Sequence, residues 1–395
     1  MTAIFVIALP KAGASIAGLP IYASMLWGIA LTWSAFIFSV KNPRGLRGVY
    51  LIFLVWVCIC ACLELLAYRS FSSFARTMFL SLAMAGIGLI FYCDIRPHGA
   101  RQYLLFMKRA YYFVLAYGVL QIIFGSEAVA IQNVTATYSD SFDEIINKHN
   151  VVRGMAESFS KIFSTYHNGN LFGVAVVLCA PLAVYVERRS SVRIAVLGAA
   201  AVLCVFSASA GAIGGGVVLI AIYAATSAAK GTASKLVLSL LVLFVVVLAF
   251  SFVFGLMDRV IELITFRVLD RDLSENVRWL KVYLWWQEVK IDPTLLIFGD
   301  MTPSIAVYEV LPIAMTQFFG FPSVVLFYVL SVLALRPGKV EYYKAGVIAY
   351  FIMSVGDGGF WLTPSPYLLA LNIAGCRALD KYPLILSRDA QRVML

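Results

Sequence analysis

Residues 276–293 read NVRWLKVYLWWQEVKIDP, and three of the chain's seven tryptophans, Trp279, Trp285 and Trp286, fall here beside Arg278 and Lys281. On a helical wheel Arg278, Val282, Trp285 and Val289 lie within about 40° of one line, with Leu280, Leu284 and Ile291 on nearly the opposite side. Two apolar stripes predict a helix held between the protein body and lipid or a lipid substrate, not one lying on a membrane with a single wet side. An arginine on the Trp285 stripe needs an anion, and a phosphate or carboxylate suits its planar fork. The alternative is an interfacial belt, in which Trp and Arg mark the headgroup level.

Other polar groups stand where they are costly. Glu309 opens an apolar run, between Pro303 and Pro312. An acid there is either functional, paired or facing a wet cavity, or a helix-start residue favoured by the dipole. In YHNGNLFG, His167, Asn168 and Asn170 surround Gly169 ahead of another apolar run. They can meet an anion or sugar hydroxyls at a helix N-terminus, or serve as plain caps. Glu64 and Arg69 either pair with each other or help bind an anion. Asp357 is either a second acid or a loop residue. The uncharged small-residue run SASAGAIGGG (207–216) reads as close helix packing or as an irregular turn lining a site.

These residues must be positioned by membrane helices. Of 395 residues, 62% are hydrophobic and only 13% charged, outside the range of soluble domains. Apolar runs of membrane-crossing length predict spans near 2–18, 20–40, 48–67, 74–93, 106–124, 168–186, 192–207, 211–228, 235–256, 309–335, 342–358 and 364–378. The first is interrupted by Pro10, Lys11 and Gly13, and it lacks the preceding basic residue of a cleaved signal peptide. Continuous runs fit helices, not the alternation of barrel strands. The fold class expected is an all-α polytopic membrane protein of about twelve transmembrane helices, one integral domain over 1–395. With both termini inside, each short inward loop carries at least two Lys or Arg, as the positive-inside rule asks. The net charge of +10 reflects that asymmetry, and no nucleic-acid partner is implied.

Two outward loops, 125–167 and 257–308, are long enough to carry function of their own. The second holds the tryptophan helix. The seven cysteines fall in or at the ends of spans, so no disulfide framework is expected. Cys58, Cys60 and Cys62, two apart, cannot converge on one metal and read as small buried residues. P-loop, dinucleotide, HExxH and paired CxxC motifs are absent. No metal or soluble cofactor is called for.

Four stretches in this order resemble the O-antigen polymerase and ligase superfamily. Arg153-Gly154 followed by HNGN is similar to its R-x-x-G…N-P-N element, and SASAG (207–211) to its S-R-G turn. Arg278…Trp285 followed by IDPTLLIFGD (291–300) resembles R-x-x-x-W…P-L-x-G. Glu309 with Gly320 resembles (H/E)-N-x-x-L…G-l-l-G. The chain departs from the pattern at Ala210, where the family often has Arg, and at Gly169, where it often has Pro. Glu309 stands where ligases typically carry His, which favours a polymerase.

The resemblance implies a GT-C-like, multi-pass protein of the bacterial inner membrane with a periplasmic active site. Its reaction would be an inverting, metal-independent glycosyl transfer. Donor and acceptor would be glycans on undecaprenyl diphosphate, with membrane lipid and a chain-length regulator protein as further partners. Arg278 would then meet the leaving diphosphate's charge, with Arg153 or Arg69 as a second contact. Glu309 would be the general base. His167, Asn168 and Asn170 would bind sugar or diphosphate, and Trp279, Trp285 and Trp286 would stack on sugar rings or the polyprenyl tail. The rival readings are a ligase to lipid A core and a transporter or flippase. The latter should show an internal repeat and midplane polar sites, and the sequence shows neither.

Overall fold

The computed structural model describes residues 6–16, 19–68, 71–91, 97–126, 128–131, 134–135, 161–166, 168–229, 277–305, 307, 310–335, 341–355 and 364–383. Within them a short antiparallel hairpin, β1 (Gly13–Ile16) and β2 (Leu19–Tyr22), is followed by helices. The first seven are α1 (Ala23–Lys41), α2 (Leu46–Tyr68), α3 (Phe71–Ala85), α4 (Pro97–Phe124), α5 (Gly169–Val186), α6 (Ser190–Phe206) and α7 (Ala210–Ala229). Then come α8 (Val277–Ile291), α9 (Thr294–Phe298), α10 (Leu311–Leu335), α11 (Ala345–Met353) and α12 (Ser365–Lys381).

Among the described residues five helical stretches are long and apolar enough to cross a membrane: Ala23–Lys41, Leu46–Ala67, Ser73–Phe91, Gly169–Val186 and Leu311–Leu335. The fold is that of a helical membrane protein. The third stretch joins α3 to a 3-10 turn, Gly86–Phe91. α5 is the hub, with 89% of its apolar window buried, against 33% for α2, which keeps a wide apolar face outward. α5 packs against α4, α6, α7, α11 and α12. An apolar helix buried all round can only be a core helix, and α5 is apolar on every face.

The structure corrects the first predicted span, 2–18. Its described part, 6–16, leaves helix after Ile7, turns around Pro10, which lacks an N–H, and enters strand β1 at Gly13. The segment is bonded to one end of the bundle by Ser24 Oγ to Pro10 O (2.6 Å), Ala23 N to Ala12 O (2.7 Å) and Tyr166 OH to Ile7 O (2.7 Å). Another correction concerns the cysteines of α2. Cys60 is buried, but Cys58 and Cys62 are exposed, since neighbours two apart on a helix point to opposite sides. The predicted span 106–124 is the apolar part of α4, which begins earlier, at Pro97. The span 235–256 lies outside the described residues.

The two ends of the bundle differ in charge. At one end, where α5 finishes, Glu187 accepts from Lys108 Nζ (3.0 Å), Tyr112 OH (2.8 Å) and the N–H groups of Arg188 and Arg189 (2.8 and 3.0 Å). Arg193 Nε donates to its carbonyl (2.6 Å). Partial burial pushes this carboxyl up, but the Arg189 N–H, Lys108, Tyr112 and Arg188 N–H outweigh it and hold the pKa down at about 2. Lys344 and Asp380 pair at 3.0 Å nearby on the chain ends of α11 and α12. The opposite end carries the candidate site.

Candidate functional site

The tryptophan helix folds as its wheel predicts. In α8, Trp285 and Val289 are buried with Val307, and Val282, Leu295, Leu296 and Ile313 pack around them. Leu280, Leu284 and Ile291 are exposed. This cluster is separate from the main core, so α8 and α9 form an arm with a small core of its own. Asp292 ends α8 and starts α9: its Oδ1 accepts from the Thr294 N–H (3.0 Å) and hydroxyl (2.5 Å), the local turn that Asp favours.

The arm is fixed to the bundle by two glycines. Gly299, which closes α9, has φ 75°, and Gly320, inside α10, has φ 71°. A Cβ on Gly320 would lie 1.6 Å from the Ile297 carbonyl oxygen. One on Gly299 would lie 2.6–2.8 Å from main-chain atoms of Phe318, Phe319 and Gln317. Only glycine combines that left-handed backbone with no side chain. The break at Gly320, reinforced by Pro322, releases carbonyls of α10 from the helix ladder, and in an apolar setting each needs a partner. Phe319 O accepts from Trp56 Nε1 (2.8 Å) and Cys60 Sγ (3.5 Å) of α2. Gln317 O accepts from the Asp300 N–H (2.5 Å). The bend is thus stitched to both α2 and the arm.

The Gln317 side chain, also fully buried, fastens the loop that follows. Its Oε1 accepts from Val307 N (2.9 Å) and its Nε2 donates to Ile305 O. From α2, Glu64 accepts from the Met301 N–H (3.4 Å) and the Thr302 hydroxyl (3.1 Å). Asp300 accepts from the Thr302 N–H (2.8 Å) and hydroxyl (3.2 Å). Between α2, the arm and α10 lies a cavity of about 330 Å³, within the range of roughly 300–1,000 Å³ usual for small-ligand sites. Glu64, Asp292 and Asp300 supply its carboxylates, and Leu63, Leu295, Phe298 and Phe318 its apolar walls. Phe298 stacks on Trp56 at the rim, with centroids 5.9 Å apart.

The second pair of quoted stretches also meets at this end. Asn168 caps α5, its Oδ1 accepting from the Leu171 N–H (2.9 Å), so capping accounts for that oxygen. A Cβ on Gly169 would sit 2.2 Å from Ser207 O, which is how closely YHNGN and SASAG approach. Ser207, Ala208 and Ser209 form a buried turn in which Ala208 has φ 50°. Ser209 Oγ accepts from Ala212 N (3.2 Å) at the start of α7. The small-residue run serves both readings, close packing and an irregular but buried turn. The two halves of this end are connected through α11, whose Ser354 carbonyl accepts from Leu311 N at 2.9 Å.

Of the residues singled out, Trp285 is buried within the arm, Trp286 is exposed and Asn170 is half-buried. Arg278 and Trp279 belong to the first turn of α8. Arg69, Arg153, His167, Glu309 and Asp357 lie outside the described residues. Asp300, Asp292 and Gln317 carried no assigned role in the sequence. The available signal was an acid directly after the motif glycine in IFGD. Among the described residues no three His, Cys, Asp or Glu side chains are placed to hold a metal ion. Comparison of the chain with family models, curated proteins and solved structures returned no match.

Proposed function

We propose that this protein is a surface-polysaccharide polymerase, joining glycan repeat units carried on undecaprenyl diphosphate at the periplasmic face of a bacterial inner membrane. The observation that carries the reading is the joining of motif elements far apart in sequence. The glycine of IDPTLLIFGD and Gly320 interlock, and a cavity with three carboxylates opens beside them. HNGN and SASAG abut at the same end of the bundle. Loops rich in Lys and Arg at the other end favour its being the cytoplasmic one.

In this reading an acceptor hydroxyl attacks the donor's anomeric carbon from the face opposite the diphosphate. The new C–O bond forms as the bond to the diphosphate oxygen breaks, inverting the centre. Glu309 takes the hydroxyl proton, while the diphosphate leaves with the electron pair and its charge is met by Arg278, seconded by Arg153 or Arg69. The cavity carboxylates accept hydrogen bonds from hydroxyls of the sugar being held.

The test is lengthening of lipid-linked repeat units by purified protein in detergent. Arg278→Lys, which keeps the charge and loses the fork, should abolish it, as should Glu309→Gln. Near-normal polymer from either variant removes that residue from the mechanism. In a deletion strain, single repeat units on the lipid core support a polymerase. Lipid-linked polymer accumulating unattached would make it a ligase.

A further inference from the structure

We propose that the α8–α9 arm lies in the membrane interface, with the outward apolar edge of α8 covered by the acyl chains of bilayer lipids. The helix has three sides. The first, Trp285 and Val289, is buried in the arm's own core. The second, Leu280, Leu284 and Ile291, gathers on nearly the opposite side and is 56%, 39% and 86% exposed. The third is polar: Lys290 Nζ donates to Gln287 Oε1 (3.4 Å) at the surface. A helix in water needs two such sides, one for protein and one for solvent; a helix at a bilayer edge needs three.

The occupant follows from what the apolar edge is continuous with. The arm is bonded to α2 through Phe298 on Trp56 and Thr302 on Glu64, and to α10 through the paired glycines. Both helices are of membrane-crossing length. Each also shows large exposed apolar side chains: Leu66 on α2, Phe321 and Val325 on α10. Ile297 of α9, in the segment that joins α8 to α10, is 48% exposed. A lipid-facing wall therefore runs from the spanning helices onto the arm. Exposed Tyr283 and Trp286 on α8 are the types that settle at the headgroup level. The inference stands apart from the glycosyl-transfer reading.

Nitroxide labels placed by Leu284→Cys, Ile291→Cys and Lys290→Cys in the full chain test it. The background is Cys58→Ser/Cys62→Ser/Cys93→Ser, which removes the exposed thiols among the described residues and Cys93, which lies outside them, and the protein is reconstituted in phosphatidylcholine vesicles. The ratio of oxygen to nickel-chelate accessibility should be severalfold higher at 284 and 291 than at 290. Equal access of the nickel chelate to all three labels would overturn the proposal in favour of water. So would dipolar broadening, which marks a second copy, or labels closed to both reagents, which marks a protein cover. Ile291 is exposed enough that its replacement leaves the core untouched, so this site reports even where Leu284→Cys folds poorly.

Discussion

The two ends of the bundle handle carboxylates in opposite ways. At the basic end Glu187 is saturated by a lysine, a tyrosine and two backbone N–H groups, with α4, α5 and α6 closed around it. At the other end Glu64, Asp292 and Asp300 receive hydrogen bonds from the loop and turn they organise, and still line an open volume. A charge that only has to hold helices together ends up enclosed by donors. The carboxylates at the arm instead border a cavity while bonding the loop and turn around it. The comparison therefore sets an enclosed, helix-tying carboxylate at the base against cavity-lining carboxylates at the arm.

The largest effect should come from the junction that makes the cavity. Gly320→Ala forces a Cβ into main chain at a positive φ and is expected to cost about 3–5 kcal/mol. That should appear as loss of monodisperse protein at much lower temperature in detergent. A wild-type melting curve would mean that the α9–α10 contact is not what shapes this end. Next, Gln317→Leu leaves Val307 N–H and Ile305 C=O without their partner and should cost about 1–3 kcal/mol. Because the cavity loop is what it releases, hydrogen exchange should rise over 300–307 while the basic end stays protected. Equal loosening at both ends would break the contrast.

The smallest effect is at the basic end and depends on pH. The Glu187 pKa lies below the ordinary 4.5, at about 2. Its stabilising contribution is complete above 4.5 and is lost as pH falls through about 2. Between those limits wild-type stability should decline with acid, and Glu187→Gln should flatten that part of the profile. An unchanged slope would show that the carboxylate is not the group being titrated.

Much of this was legible in advance because it rests on local periodicity. Apolar length marked the five described stretches long enough to cross a membrane, and the α8 wheel assigned Trp285 and Val289 to one side and Leu280, Leu284 and Ile291 to the other. Hydropathy could not separate 2–18 from a span, since the residues of a turn and hairpin can be as apolar as those of a helix. It also missed the start of α4, where HGARQ is polar yet helical. The cavity was illegible for another reason. Gln317 matters through Ile305, Val307 and Asp300, and Glu64 through Met301 and Thr302, more than 230 positions away. Nothing local to Gln317 or Glu64 announces those partners. The glycines were visible as letters in two separate stretches, but their contact was not.

That contact also constrains how the sequence can change. What stands in the way of a side chain at Gly299 or Gly320 is peptide backbone in both cases, and backbone cannot be trimmed by a second substitution elsewhere. A core clash between side chains can be relieved by shrinking the neighbour; this one has no neighbour to shrink. Selection for restored folding in a Gly320→Ala background should therefore return glycine at that position, not a suppressor across the interface.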